Sequence, residues 1–124
     1  MRLLPLAVVA VPSLLLSACV TDPGDGARAA EVAAVDGTVV VEMWDMYFDP
    51  AVVTVDPGEP LTLELVNEGG VNHDLAFEDA ASPVVAPGDR ATMQVGPFDH
   101  TVTAWCTVPG HRAAGMELEI RVER

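Results

Sequence analysis

Lysine is absent from this 124-residue sequence, and six arginines carry all of its permanent positive charge. Nineteen Asp and Glu residues outnumber them and give a formal net charge of −13. Nucleic acids and anionic lipid headgroups attract basic surfaces, so this balance argues against both as the main partner. It favours a partner that is itself positively charged, and the alternative is that the charge serves only solubility.

Cysteine is scarce, with only Cys19 and Cys106 in the chain. Two cysteines form at most one disulfide, so a disulfide-rich scaffold is excluded. After residue 37 no long segment has helical periodicity, which argues against a helical bundle. The length suits one domain. Half of the residues are hydrophobic, as in a packed globular protein.

Residues 1–18 have the features of a secretory signal peptide. Arg2 precedes an apolar run that contains two prolines and stops at Cys19, which favours a signal peptide over a membrane-spanning helix. The sequence LSAC at its end resembles a bacterial lipobox, whose Cys becomes the acylated first residue of the mature protein. We therefore expect lipidation of Cys19 and an anchor on the extracytoplasmic face of a bacterial membrane. The alternative is a disulfide between Cys19 and Cys106.

Residues 19–36 join this segment to the rest of the chain. They begin with turn-forming residues, and their alanine-rich middle is too short for a stable isolated helix. We expect a flexible linker here, and the alternative is that residues 27–34 pack on the domain. Residues 37–124 are expected to form a single folded domain.

Seven runs between residues 37 and 124 have the composition of β-strands. Hydrophobic and polar residues alternate in them, and Gly or Pro separates them at intervals of about ten residues. This pattern predicts an all-β fold, an antiparallel sandwich or barrel. The runs cover residues 38–48, 51–55, 61–67, 71–78, 90–95, 100–106 and 116–122.

The sequence WCTVPGHRAAGM, residues 105–116, contains three soft donor groups. Cys106, His111 and Met116 are each separated by four residues, and a Pro-Gly pair lets the chain turn back between the first two. Two His, one Cys and a distant axial Met are the ligands of electron-transfer copper. His73, after a Glu-Gly-Gly turn, is the natural second imidazole. Each residue taken singly also suits an ordinary core position, but their combination indicates a metal site.

The stretches WCTVPGHRAAGM and NEGGVNHDLAF together resemble the cupredoxins, the blue-copper family of azurin, plastocyanin and rusticyanin. The Cys-x4-His-x4-Met spacing is similar to the loop of the rusticyanin and sulfocyanin type. The resemblance covers residues 37–124 and implies a Greek-key β-sandwich or barrel of about seven to eight strands with one type 1 copper ion. It implies His73, Cys106 and His111 as equatorial ligands and Met116 as the weak axial ligand.

The resemblance also implies residues that support the ligands. The family often has Asn or Ser after the first His, whereas this sequence has Asp74. We expect its carboxylate to accept hydrogen bonds near Cys106, for instance from Thr107, and its charge to disfavour reduction of the copper. Asn72, on the other side of His73, is assigned to the same supporting group.

The implied function is one-electron transfer between redox partners outside the cytoplasm, without enzyme activity. The ring edge of His111 is expected near the surface, where Pro109, Ala113 and Ala114 border it as a docking patch and electron exit. The expected partner is a redox protein, such as a basic cytochrome or an oxidase or reductase, and the carrier is expected to be a monomer. The alternative is a copper-binding or copper-delivery module without a redox role.

Other sites fit the sequence less well. A nitrite reductase of this fold needs a second domain, a dinuclear copper centre needs a second Cys where this loop has Gly110, and zinc sites seldom use Met. His100 lies at the far end of the strand that leads to Cys106, roughly 20 Å away, so we expect it to stay outside the site. The remaining methionines of the domain are assigned to the core or surface: Met43, Met46 and Met93.

Overall fold

The computed structural model describes residues 31–124, in which eight β-strands form two four-stranded sheets. These residues contain no helix, and so no helical segment of the described chain could span a membrane. The all-β prediction of seven to eight strands is confirmed. The strands are β1 (Val32–Ala33), β2 (Thr38–Trp44), β3 (Tyr47–Asp49), β4 (Val52–Val55), β5 (Leu61–Asn67), β6 (Arg90–Val95), β7 (Val102–Trp105) and β8 (Glu117–Val122).

The two sheets contain both parallel and antiparallel strand pairs. The first sheet has the order β1-β4-β8-β7 and the second β3-β2-β5-β6. The pairs β1–β4, β4–β8 and β2–β5 are parallel, and the others are antiparallel. The predicted sandwich is present, but three of its six strand pairs are parallel, which the prediction of antiparallel strands did not include. The chain leaves the second sheet to form β4 in the first and then returns, so β5 runs in the same direction as β2.

Alternating side chains from both sheets fill one core. In β5, Leu61, Leu63 and Leu65 are almost fully buried, whereas Glu64 between them is exposed. Each such leucine contributes on the order of 2 kcal/mol of burial free energy. In the other sheet, strand β8 also points every second side chain into this core. Its buried residues are Leu118 and Ile120.

The run 38–48 forms two strands rather than one. A two-residue turn separates β2 from β3, and Met46 in that turn has a φ of 73°, in the left-handed region. Alternation alone did not reveal the turn because its residues continue the polar and apolar pattern of the strands. The hairpin returns at Tyr47, which pairs with Trp44 and stacks on its ring.

The run 71–78 forms single bridges instead of a strand. His73 pairs with Val85, and Ala76 pairs with both Ala81 and Trp105. Because this segment contacts three different parts of the chain, no continuous ladder forms. The prediction of a strand here is wrong.

The folded domain begins before residue 37. Strand β1 lies inside the predicted linker 19–36 and pairs with β4, and Glu31 forms an ion pair with Arg121 of β8. The flexible-linker prediction is therefore wrong for residues 31–36, where hydrogen bonds to the sheet hold the backbone. The rest of the predicted linker, the predicted signal peptide 1–18 and Cys19 lie outside the described residues.

Candidate metal centre

Three of the predicted ligands meet in the interior. His73, Cys106 and His111 each offer a donor atom, and these atoms lie within 4.8 Å of one another. The Cys106 Sγ is 3.9 Å from the His73 Nδ1 and 3.6 Å from the His111 Nδ1. All three residues are buried, with exposed fractions of 0% to 6%. Two imidazole nitrogens therefore face one sulfur in a site shielded from water.

Backbone pairing brings the mid-chain imidazole to the cysteine. The Ala76 N–H donates to the Trp105 carbonyl at 2.8 Å, and the Trp105 N–H donates back to the Ala76 carbonyl at 2.9 Å. Earlier in the same segment, the backbone N–H and carbonyl groups of His73 and Val85 form a second reciprocal pair of hydrogen bonds. Because these bonds fix the chain at both places, the His73 ring is held beside Cys106.

The loop from Cys106 to Met116 closes on itself. The Met116 N–H donates to the His111 carbonyl at 3.0 Å, and the Cys106 N–H donates to the Met116 carbonyl at 3.2 Å. Gly110 and Gly115 have φ values of 85° and 97°, which other residues rarely adopt. Met116 is fully buried. The two four-residue spacings thus allow the backbone of Met116 to form hydrogen bonds with both Cys106 and His111.

Asp74 and Thr107 make the contact that the sequence led us to expect. The Thr107 N–H donates to the Asp74 Oδ1 at 2.6 Å, and the Thr107 hydroxyl donates to the other carboxylate oxygen. Asp74 is buried, with 7% exposed. This pair joins the residue after His73 to the residue after Cys106, and so it fixes the two ligand segments relative to each other.

Asn72 does not take the supporting position that we assigned to it. Its side chain is exposed, because His73 points inward and its neighbour in an extended segment points outward. The buried amide of this region is Asn67, at the end of β5. Its Nδ2 donates to the carbonyls of Val71 and Val85, each at 2.8 Å, and its Oδ1 accepts from the Gly69 N–H. Asn67 therefore braces the turn that leads to His73.

A second carboxylate, which the sequence reasoning missed, contacts the His73 ring. The Asp45 Oδ1 lies 3.2 Å from the His73 Nε2 and accepts a hydrogen bond from the Gly70 N–H at 2.9 Å. The hydrogen bond from the Gly70 N–H, and to a lesser extent the one with the His73 ring, hold the pKa of Asp45 below its usual value. No signal in the sequence indicates this contact, because the turn at positions 45–46 and the Gly-Gly pair that it faces are brought together only by the fold.

The expected docking patch lies at the surface beside the ligands. Pro109, Ala113 and Ala114 are exposed, and His111 is buried except for 6% of its surface. A surface depression beside them is lined in part by Cys106. The path from the buried donors to solvent is thus short on this side.

Arg112 braces this loop from the outside. Its guanidinium lies 4.1 Å from the centre of the Trp105 ring, and its Nε donates to the Glu117 Oε1 at 3.0 Å. Trp105 is half-buried and lies on the opposite face of its strand from buried Cys106. The positive charge of Arg112 is thus partly balanced by Glu117.

The donor chemistry fits one type 1 copper ion, with His73, Cys106, His111 and buried Met116 as its ligands. Burial raises the pKa of the Cys106 thiol, so copper uptake at neutral pH must displace its proton. Among residues 31–124 this is the only group of three or more His, Cys, Asp or Glu close enough to hold a metal. His100 is outside it, exposed and paired with Asp99.

Comparison with known sequences finds relatives over most of the chain. The sequence model of the cupredoxin-like domain family matches residues 7–101, more than half of the chain. The copper-resistant cuproprotein CopI of Pseudomonas aeruginosa is 31% identical over 96 aligned residues, which cover 75% of this chain and 53% of that protein. The chain therefore spans about half the length of that relative. CopI of Rubrivivax gelatinosus is 30% identical over 117 aligned residues, covering 76% and 67%.

Comparison with solved structures matches the fold. Auracyanin from the photosynthetic bacterium Roseiflexus castenholzii superposes with a TM-score of 0.63 at 20% sequence identity. The superposition covers 73% of this chain and 100% of auracyanin. Identity this low shows a shared fold and no more, and that fold is the one predicted from the sequence.

Proposed function

The chain belongs to the cupredoxin-like family, and we propose that it is a mononuclear type 1 copper protein that carries single electrons between redox partners outside the cytoplasm. The proposal rests on one observation: the donor atoms of His73, Cys106 and His111 lie close together in the interior. The backbone of Met116 is hydrogen-bonded to Cys106 and His111. Copper held there would supply a Cu(I)/Cu(II) couple.

The chain's own contribution is a fixed donor geometry. Asp74 joins the two ligand segments through Thr107, and backbone bonds lock Cys106 and His111 to Met116. Donors that are buried and held in this way keep their positions when the charge of the site changes by one. Little rearrangement then accompanies each transfer, as electron transfer requires.

The same geometry suggests where the electron leaves. The apolar rim of Pro109, Ala113 and Ala114 lies beside His111 and offers a small surface for a partner. The chain's charge of −13 would attract a basic redox protein such as a cytochrome. We propose that the protein acts as a monomer and that this rim is the contact surface.

The test is a visible spectrum and a voltammogram of the copper-loaded protein. We expect an intense thiolate-to-copper absorption and one reversible one-electron wave. The Cys106→Ala variant should lose both, because no other described cysteine is available. The His100→Ala variant should keep both and serves as the control. A loaded protein without the absorption would contradict the proposal.

A second candidate is copper binding for copper resistance, without electron transfer. The observation that favours it is the similarity to two proteins that are both called copper-resistant cuproproteins. The same buried donors would hold Cu(I). A colourless protein that binds Cu(I) tightly and shows no reversible wave would support this function over the first.

Attachment to a membrane through Cys19 is part of the proposal. It rests on the LSAC sequence at the end of the apolar N-terminal run. In cells that express the full chain, the protein should enter the membrane fraction and incorporate labelled fatty acid. The Cys19→Ser variant should incorporate none. Equal labelling of both forms would contradict the lipid anchor.

A further inference from the structure

The two nitrogens of the His73 ring face different groups. Nδ1 lies 3.9 Å from the Cys106 Sγ, whereas Nε2 lies 3.2 Å from the Asp45 Oδ1. With its proton on Nε2, the ring donates to Asp45 and presents the Nδ1 lone pair to the metal position. We propose that Asp45 is a positioning residue that holds His73 in this tautomer and orientation. This inference deepens the proposed function and rests on it.

Asp45 is itself held in place, as a positioning residue must be. It lies in the tight turn between β2 and β3, and it accepts the Gly70 N–H at 2.9 Å. The N–H groups of Glu68 and Gly69 both donate to the Met43 carbonyl at 3.0 Å. The Gly-Gly turn therefore packs on the hairpin, and the carboxylate bridges it to His73.

Gly69 leaves the space that this bridge needs. A Cβ at this position would lie 2.4 Å from the Asp45 Oδ1 and 3.0 Å from the His73 Nε2. Only glycine allows the carboxylate to reach the ring without displacement. The Glu-Gly-Gly sequence before His73 is thus explained by this contact as well as by the turn.

Burial makes the contact matter for the ring. The His73 side chain is fully buried, and a buried ring N–H without a partner carries a desolvation cost. The Asp45 side chain is half exposed and meets solvent on its other side. A carboxylate on the non-ligating nitrogen also makes the imidazole a stronger donor. Asp45, in the β2–β3 turn, therefore adds to both the orientation and the donor strength of the ring.

The experiment compares Asp45→Ala and Asp45→Asn with Asp99→Asn. The control fits because Asp99 also pairs with a histidine, His100, but at an exposed position away from the site. Copper affinity is measured by competition with a chelator. We expect Asp45→Ala to weaken it by about 10- to 100-fold. Asp45→Asn retains an acceptor oxygen and should weaken it less, and Asp99→Asn should not change it.

A second readout does not need copper. Long-range proton–nitrogen NMR of the copper-free protein reports the tautomer of each histidine. We expect the Nε2–H form of His73 in the native protein and in Asp99→Asn, and a mixture in Asp45→Ala. Should that last variant fail to fold, Gly69→Ala displaces the carboxylate and should show the same mixture.

The outcomes separate this inference from the proposed function. Unchanged affinity and tautomer in folded Asp45→Ala would overturn the positioning role, even if its melting temperature fell. A native protein without the thiolate-to-copper absorption, whose His73 tautomer still depends on Asp45, would overturn the electron-carrier proposal and leave the positioning role standing.

Discussion

At the scale of single residues, burial sets the chemistry of the centre. The Cys106 thiol lies among buried groups, and loss of water around it raises its pKa above the ordinary value of 9.0. The neighbouring Asp74 carboxylate also disfavours the thiolate by its charge. Without a cation the sulfur therefore stays protonated at neutral pH, and a bound cation is what would make it a ligand.

This raised pKa predicts that the copper-free protein loses stability in alkali. Below pH 9.0 the thiol is protonated in both states, and the full contribution is present. Above it the unfolded chain releases the proton first, so unfolding becomes more favourable as the pH rises. Denaturant unfolding under reducing conditions should show this fall, and Cys106→Ala should lack that part of it. Parallel pH profiles for the two proteins would contradict the assignment.

The proposed axial role of Met116 predicts that its replacement changes the reduction potential without loss of the metal. Met116→Leu nearly conserves volume in a fully buried position, and we expect it to cost less than about 1.5 kcal/mol of stability. The loss of the thioether removes a donor that stabilises Cu(II), so the reduction potential should rise. Voltammetry and the visible spectrum measure both effects. An unchanged potential would show that Met116 is only a core residue.

Some of these residues were predictable from sequence and others were not. Cys106, His111 and Met116 lie in one loop, so their fixed spacing revealed them together. Asp45 is 28 residues from His73, and no periodic pattern indicates which turn of the chain will reach a given ring. Asn67 was missed for the same reason, because its partners depend on how the loop folds back.

At the scale of elements, the alternating pattern predicted which face of a strand is buried but not which strands pair with each other. The period of two correctly placed Leu63 and Leu65 on the core side of β5. It contained no information on whether β5 would pair in parallel with β2, because pairing depends on the path of the chain between them. The segment 71–78 illustrates the limit, since its inward residues serve the site while its backbone forms single bridges.

The role of the ligand loop can be tested with a matched pair of glycine variants, one inside the loop and one outside it. Gly115 and Gly58 have φ values of 97° and 81°, and a Cβ would have open space at both positions. Alanine at either should cost about 1–2 kcal/mol through backbone strain alone. Denaturant unfolding should show similar losses. Only Gly115→Ala should alter the copper spectrum, because Met116 follows it directly. A spectrum changed equally by Gly58→Ala would contradict the separate role of the loop.

At the scale of the whole molecule, the net charge predicts how the rate of reaction with a redox partner depends on ionic strength. With a net charge of −13, the protein should react with a basic redox protein at a rate that falls as ionic strength rises. With an acidic redox protein the rate should rise with salt. Stopped-flow mixing with one cytochrome of each charge measures this. A rate independent of salt for the basic partner would contradict electrostatic steering.

The central claim is that one copper ion binds to two imidazoles, one thiolate and a thioether residue inside this fold. X-ray absorption at the copper edge of the loaded, oxidised protein tests it most directly. The account predicts one copper per chain with one short sulfur ligand and two imidazole nitrogens. Copper surrounded by oxygen and nitrogen alone, or an unchanged signal in Cys106→Ala, would contradict it.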